Sequence, residues 1–150
     1  MSSSAVRTAI FDFLDTNAPT ESVVDLTSQF GEIKEFVADS GVQPDSPWLG
    51  VQFIGSDELP IGLAANNVIG KYRETGAVYI HCVEVARLGV GNTLLTRGEA
   101  LRNLFRGQNI SGVVVESVTP LNFDGGATLQ FEGGYMSASF LMSYYFDVDL

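Results

Sequence analysis

The chain contains one cysteine, one histidine and one tryptophan, and sets only 8 basic residues against 18 acidic ones. A lone Cys82 excludes an internal disulfide, and a single His81 beside it excludes the ordinary four-ligand zinc sites. Cys82 sits in the apolar run Val78-Tyr79-Ile80-His81-Cys82-Val83, where a buried structural thiol is expected. Neighbours on a strand point to opposite faces, so His81 cannot activate Cys82 directly and is read as a residue of the sheet's polar face. A chain without disulfides fits a reducing compartment. No apolar run approaches the ~20 residues of a membrane helix, and Met1-Ser2-Ser3-Ser4 lacks the basic-then-apolar order of a signal peptide. A soluble chain made in the cytoplasm, with no membrane partner, is expected.

The shortage of positive charge is itself informative. With a net charge of −10 the surface repels phosphate backbones and cannot supply the counterion release that holds a protein on DNA. A sequence reader is excluded, whereas an acidic wall that DNA slides past is not. The imbalance is local: up to Pro60 there are 10 acidic residues against Arg7 and Lys34. Converging reactive groups are scarce too. Gly89-Val90-Gly91 lacks the third glycine and the lysine of phosphate-binding turns and reads as a plain strand-to-helix connection. Asp57-Glu58 and Asp147/Asp149 lack the glycine-centred spacing of calcium loops. Ser137, Ser139 and Ser143 are read as having no base beside them and as small residues allowing close approach. No catalytic residue, cofactor or metal site is expected.

What is present is a strong periodic pattern in one domain of 150 residues with 45% hydrophobic content, enough to bury about two-thirds of the unfolded surface. From Tyr135 to the end, Ala138, Phe140, Met142, Tyr144, Phe146, Val148 and Leu150 alternate with Ser137, Ser139, Leu141, Ser143, Tyr145, Asp147 and Asp149. That period of two predicts a long closing strand, its apolar face on a helical layer and its small polar face on solvent or a partner. Near the N-terminus, Val6, Ala9, Ile10, Phe13 and Leu14 predict a helix capped by the serines and ending near Asn17, before Pro19. Thr20 to Gly41 suggests a short strand or turn, then a short helix. Pro44 and Pro47 turn the chain into a strand from Trp48 to Gly55. Ser56 to Gly76, rich in glycine, reads as an arm or extended loop between two paired strands. Ala77 to Arg87 is the second of them, with an irregularity at Val83. Leu94, Leu101, Leu104 and Phe105 predict a second helix, capped by Gly107, with Arg97, Arg102 and Arg106 on its polar side. A strand over Gly112 to Leu121 follows. Phe123 to Gly126 then turns the chain, and Gly125-Gly126 and Gly133-Gly134 flank a short strand, Thr128 to Phe131. The predicted fold is α+β: a two-layer sandwich with an antiparallel or mixed sheet and two main amphipathic helices on one face.

Three segments carry a likeness to a known family. They are Pro47-Trp48-Leu49-Gly50-Val51-Gln52-Phe53, Tyr72-Arg73-Glu74-Thr75-Gly76 entering the next strand, and the helix Gly98-Glu99-Ala100-Leu101-Arg102-Asn103-Leu104-Phe105-Arg106-Gly107. With Gly133-Gly134-Tyr135 and the closing strand, they make the chain resemble the tail terminator (tail completion, or tail-to-head joining) proteins of long-tailed double-stranded DNA bacteriophages. The resemblance runs from Pro47 onward and loosely includes the first helix. It implies a structural virion protein at the head-proximal end of the tail, in which small α+β subunits form a hexameric ring. Such a ring caps the tail tube, stops its polymerisation, joins it to the head-neck connector protein and lets genomic DNA pass without specific binding.

On that reading the segment from Ser56 to Gly76 is the tube or subunit contact, with Asp57, Glu58, Lys71, Arg73 and Glu74 as its charged members. A solvent loop is the other reading of the same residues, with Arg73 and Glu74 pairing with each other or with nearby charges. Rival functions are a different neck or tail-tube subunit, which two amphipathic helices disfavour, and a small-ligand-binding α+β domain with an apolar pocket between sheet and helices. A third rival is an adaptor that binds one partner through an open edge of the closing strand.

Overall fold

The computed structural model describes residues 3–27, 46–63, 69–85, 90–123 and 135–149. The first helix, α1 (Ser4–Asn17), starts where Ser3 accepts the Val6 N–H on its hydroxyl and ends at Ala18, whose N–H bonds to the Leu14 carbonyl. Pro19 follows, with no N–H to carry the helix further. Val6, Ala9, Ile10 and Leu14 form its buried stripe. The second helix, α2 (Val90–Phe105), buries Leu94, Leu101 and Phe105 and ends just before Gly107, whose φ of +64° suits the left-handed cap.

Among the described residues six strands form one mixed sheet: β1 (Ser22–Asp25), β2 (Trp48–Leu63), β3 (Ile69–Val85), β4 (Asn109–Ile110), β5 (Val113–Val118) and β6 (Tyr135–Asp149), in the spatial order β1-β2-β3-β6-β5-β4. Among the described strands only β1 and β2 are parallel. The two-layer α+β fold is therefore as the sequence predicts, and the sheet is mixed. Leu49, Val51 and Phe53 of β2, Val78, Ile80 and Cys82 of β3, and Ala138, Phe140, Met142 and Tyr144 of β6 form one apolar cluster with both helices. Phe105 stacks obliquely on Phe13 at 4.9 Å and on Phe140 at 6.1 Å between ring centroids, tying α1, α2 and β6 together.

Several expectations need correction. Ser56 to Gly76 is not a loop in its described parts: β2 runs on to Leu63 and β3 already begins at Ile69, paired from Ser56↔Gly76 to Leu63↔Ile69 with register shifts on either side of Gly62. Composition had suggested a loop, yet pairing on β3 compensates for poor strand propensity. Val83 causes no irregularity, since Trp48↔Val83 and Leu49↔Cys82 are consecutive pairs; it is buried on the opposite face to Cys82. That opposite face is not all solvent-facing either, because Ser137 and Ser139 are buried with Val24, Leu26, Trp48 and His81. The strand expected over Gly112 to Leu121 is shorter, Val113–Val118, and it is preceded by β4. Ser111 (φ +51°) and Gly112 (φ +93°) make the two-residue turn that folds β4 onto β5. The closing strand is interior: β3 pairs with all of it, while β5 pairs with Met142 to Phe146 and Asn122 bridges to Ser139. An adaptor edge on β6 is thereby ruled out along most of its length. The short helix expected before Gly41, the strand Thr128 to Phe131 and the paired glycines beside it lie outside the described residues.

Candidate functional site

At about 3.3 Å per residue, strands of 15 to 17 residues run to about 50 Å, while helices of 14 and 16 residues reach only a little over 20 Å. The excess is a three-stranded arm built from the far half of β2, the first half of β3 and the end of β6. Its root is marked by a bulge in β2 between Ile54 and Ser56, where Gly55 is the extra residue. Opposite lies Gly76, where an added Cβ would come within 2.6 Å of the Tyr144 hydroxyl and 3.0 Å of the Gly55 carbonyl. An open cleft of about 430 Å³ lies at this root, lined by polar groups including Ser56, Asp57, Thr75, Glu116 and Ser143.

Register fixes the two faces of the arm. Leu59, Arg73 and Asp147 stand side by side on one, and Glu58, Glu74 and Phe146 on the other. Arg73 donates to both carboxylate oxygens of Asp147, at 2.7 and 2.9 Å, and its guanidinium lies 4.1 Å from the centre of the Tyr145 ring. This fork-on-fork bond holds the Asp147 carboxyl below its ordinary range and the guanidinium above its own. Lys71 stands 3.8 Å from Asp149 two pairs further out. Asp57 and Glu58 are exposed and have no cationic partner among the described residues. Leu59 and Ile61, 61% and 44% exposed, are the apolar members of this edge.

Glu74 is placed differently from the other four candidate residues. It is 4% exposed, and its Oε1 accepts the Ser3 N–H at 3.0 Å and the Tyr144 O–H at 2.9 Å. It does not pair with Arg73, because consecutive strand residues face opposite ways. Its carboxylate joins the start of α1 to the arm's root. The structure thus gathers Asp57, Glu58, Lys71 and Arg73 on the arm's surface and turns Glu74 inward.

Two polar clusters escaped the sequence reading. Arg97, assigned there to the polar side of its helix, is largely buried; it donates to Glu21 at 2.8 and 3.1 Å and lies 3.3 Å from Glu84. It clamps α2 to β3 and to the turn before β1. His81 shows that a base does lie beside one of the serines: its Nδ1 is 2.6 Å from Ser139 Oγ, and its Nε2 is 3.3 Å from Gln52 Oε1. The two residues are 58 apart in sequence, and cross-strand register was the missing signal. A neutral ring with Nε2–H donating to Gln52 and Nδ1 accepting from Ser139 satisfies both contacts. Burial lowers the His81 pKa from 6.5 to about 4, and raises that of Cys82 to about 12, which keeps the thiol unreactive. Both His81 and Ser139 are fully buried.

Among the described residues no group of three or more His, Cys, Asp or Glu is placed to hold a metal ion, and no helix is long and apolar enough to cross a membrane. Comparison with known proteins finds no family model and no curated protein that matches. A solved structure matches over 100% of this chain and 98% of its own, with a TM-score of 0.53 and 18% identity. At that identity the likeness shows a shared fold alone.

Proposed function

We propose that this chain is a non-enzymatic structural subunit of a phage virion, a tail terminator that assembles as a ring, of six copies, on the head-proximal end of the tail tube. The observation that carries the reading is the arm. A three-stranded ribbon that outruns the helical layer adds little to the main core beyond Phe146, yet it presents an ordered surface of Leu59, Ile61, Asp57, Glu58, Lys71 and Arg73. Such a projection suits a heterologous contact with a neighbouring subunit or the tube, and heterologous contacts close into rings when the rotation allows. The acidic surface supports the rest of the reading, since a ring with a net charge of −10 per subunit can carry DNA through its hole without holding it. In this role the ring stops tube polymerisation and offers the head-neck connector a docking face.

The test is the mass of the purified protein in solution over a range of concentrations, alone and then mixed with assembled tail tubes viewed by negative-stain microscopy. Rings of about six subunits, or rings capping one tube end, are the expected result. A monomer that ignores tubes and gains thermal stability with a small molecule would return the ligand-binding reading to first place.

A further inference from the structure

The open edge of this sheet that matters is on β2. The cover given by β1 stops at Val51, where Leu26 donates to the Val51 carbonyl, and at Phe53, whose N–H is taken by the Thr27 hydroxyl. From Ile54 outward no described strand pairs with the outer side of β2, and residues 57–61 are all exposed. An edge of this kind is a template for another chain. Bulges beside Gly55 and Gly62, together with Pro60, which has no N–H to give, confine regular pairing to Ser56 through Leu59.

We infer that this edge takes up an extended, cationic segment of another protein by strand addition, with Lys or Arg side chains set against Asp57 and Glu58 and an apolar one against Leu59. Charge selects that occupant. A second copy of the chain offers Asp57 and Glu58 on its own arm edge and Asp147 and Asp149 at the end of β6, so arm-to-arm pairing sets carboxylate against carboxylate. The arm's cations are already committed, Arg73 to Asp147 and Lys71 to Asp149. Among the described residues the two β2 carboxylates are the arm's exposed ones with no cation beside them. Backbone bonds supply the affinity of such a contact, and alternate side chains supply its specificity. The inference rests on the edge alone and holds whether or not the subunit closes into a ring.

The experiment uses the whole chain and two capped peptides with a Val-Lys-Lys core, which in antiparallel pairing sets valine against Leu59 and the lysines against Glu58 and Asp57, identical except that one is N-methylated at every second residue. Amide exchange is followed by NMR. The unmodified peptide is expected to slow exchange at the outward-facing amides among residues 56–59 by about tenfold or more. The N-methylated peptide, equal in charge but unable to extend the ladder, should leave those amides unchanged, and the same core with glutamate in place of lysine should bind only after Asp57→Lys and Glu58→Lys. Equal binding of both lysine peptides would reduce the effect to charge attraction and overturn the inference, as would no protection at any concentration. Protection that appears without peptide as protein concentration rises would overturn it in favour of a second copy.

Discussion

Val51, Ile80 and Phe140 lie in register across β2, β3 and β6, and so do Leu59, Arg73 and Asp147 further along the same strands. The first row is buried beneath two helices, whereas the second is a half-exposed ion pair beside an exposed leucine. Continuous backbone pairing therefore serves two purposes in one sheet. In the body, each inward residue removes apolar surface from water, and that burial is what stabilises the fold. In the arm the same ladder carries side chains that stabilise little, held at the root by Glu74 and by Tyr144 lying across Gly76. Free energy is generated in one half and presentation is done by the other.

The widest gap between the halves should appear on cutting the body. Phe140→Ala removes a ring that is 1% exposed and packed on Phe105, and is expected to cost about 3–5 kcal/mol in urea unfolding. A cost under about 1 kcal/mol would mean that the body is not the reservoir of stability.

The polar face of the body offers the next largest effect, and it depends on pH. The folded chain keeps His81 neutral down to about pH 4, while the unfolded chain takes up its proton near 6.5. Protons therefore favour the unfolded state inside that window, so stability is complete above pH 6.5, falls as pH drops toward 4, and loses no more from this group below it. The loss is about 3 kcal/mol at most. His81→Gln, which keeps hydrogen-bonding capacity toward Ser139 and Gln52, should flatten the stability profile between those pH values relative to wild type. Parallel profiles would show that His81 is reached by solvent.

What the sequence could reveal follows the same division. The body is written in local periodicity: Ala138 to Tyr144 alternate without a break and α1 repeats at helical spacing, because burial selects side chains one element at a time. The arm is written in pairings. Nothing local in Asp57-Glu58-Leu59-Pro60 announces a strand; its partners are Thr75, Glu74, Arg73 and Tyr72, and beyond them β6, some seventy residues further on. The position of β6 between β3 and β5 is equally invisible to a reading of neighbours, and so are the burial of Arg97 between Glu21 and Glu84 and the Ser139–His81 bond. Two signals were within reach. Ser111-Gly112 between β-branched residues is a hairpin turn, and period-two alternation alone puts Arg73 and Glu74 on opposite faces.

Glu74 tests the joint between the halves. Glu74→Ala removes one acceptor from the buried Tyr144 hydroxyl and frees the start of α1, for an expected cost of about 1–3 kcal/mol. Exchange should quicken at the arm's amides and at the first turn of α1 together. Faster exchange in one without the other would show that the carboxylate does not couple them.

Its neighbour should behave in the opposite way, and the pair makes the sharpest contrast in the molecule. Arg73→Glu sets a carboxylate against Asp147 and ends the stacking on Tyr145, but both partners keep access to water, so the new repulsion is screened and the urea midpoint should not move measurably. The change should instead be read in assembly, as loss of ring formation or of tube capping by a protein that folds normally. Restoring the bond in the reversed sense with Asp147→Arg would recover the arm's geometry but not the charge it shows to a partner. If the double variant assembles, the ion pair acts by holding the arm's shape; if it stays inactive while folded, the partner reads the sign of charge at Arg73 itself.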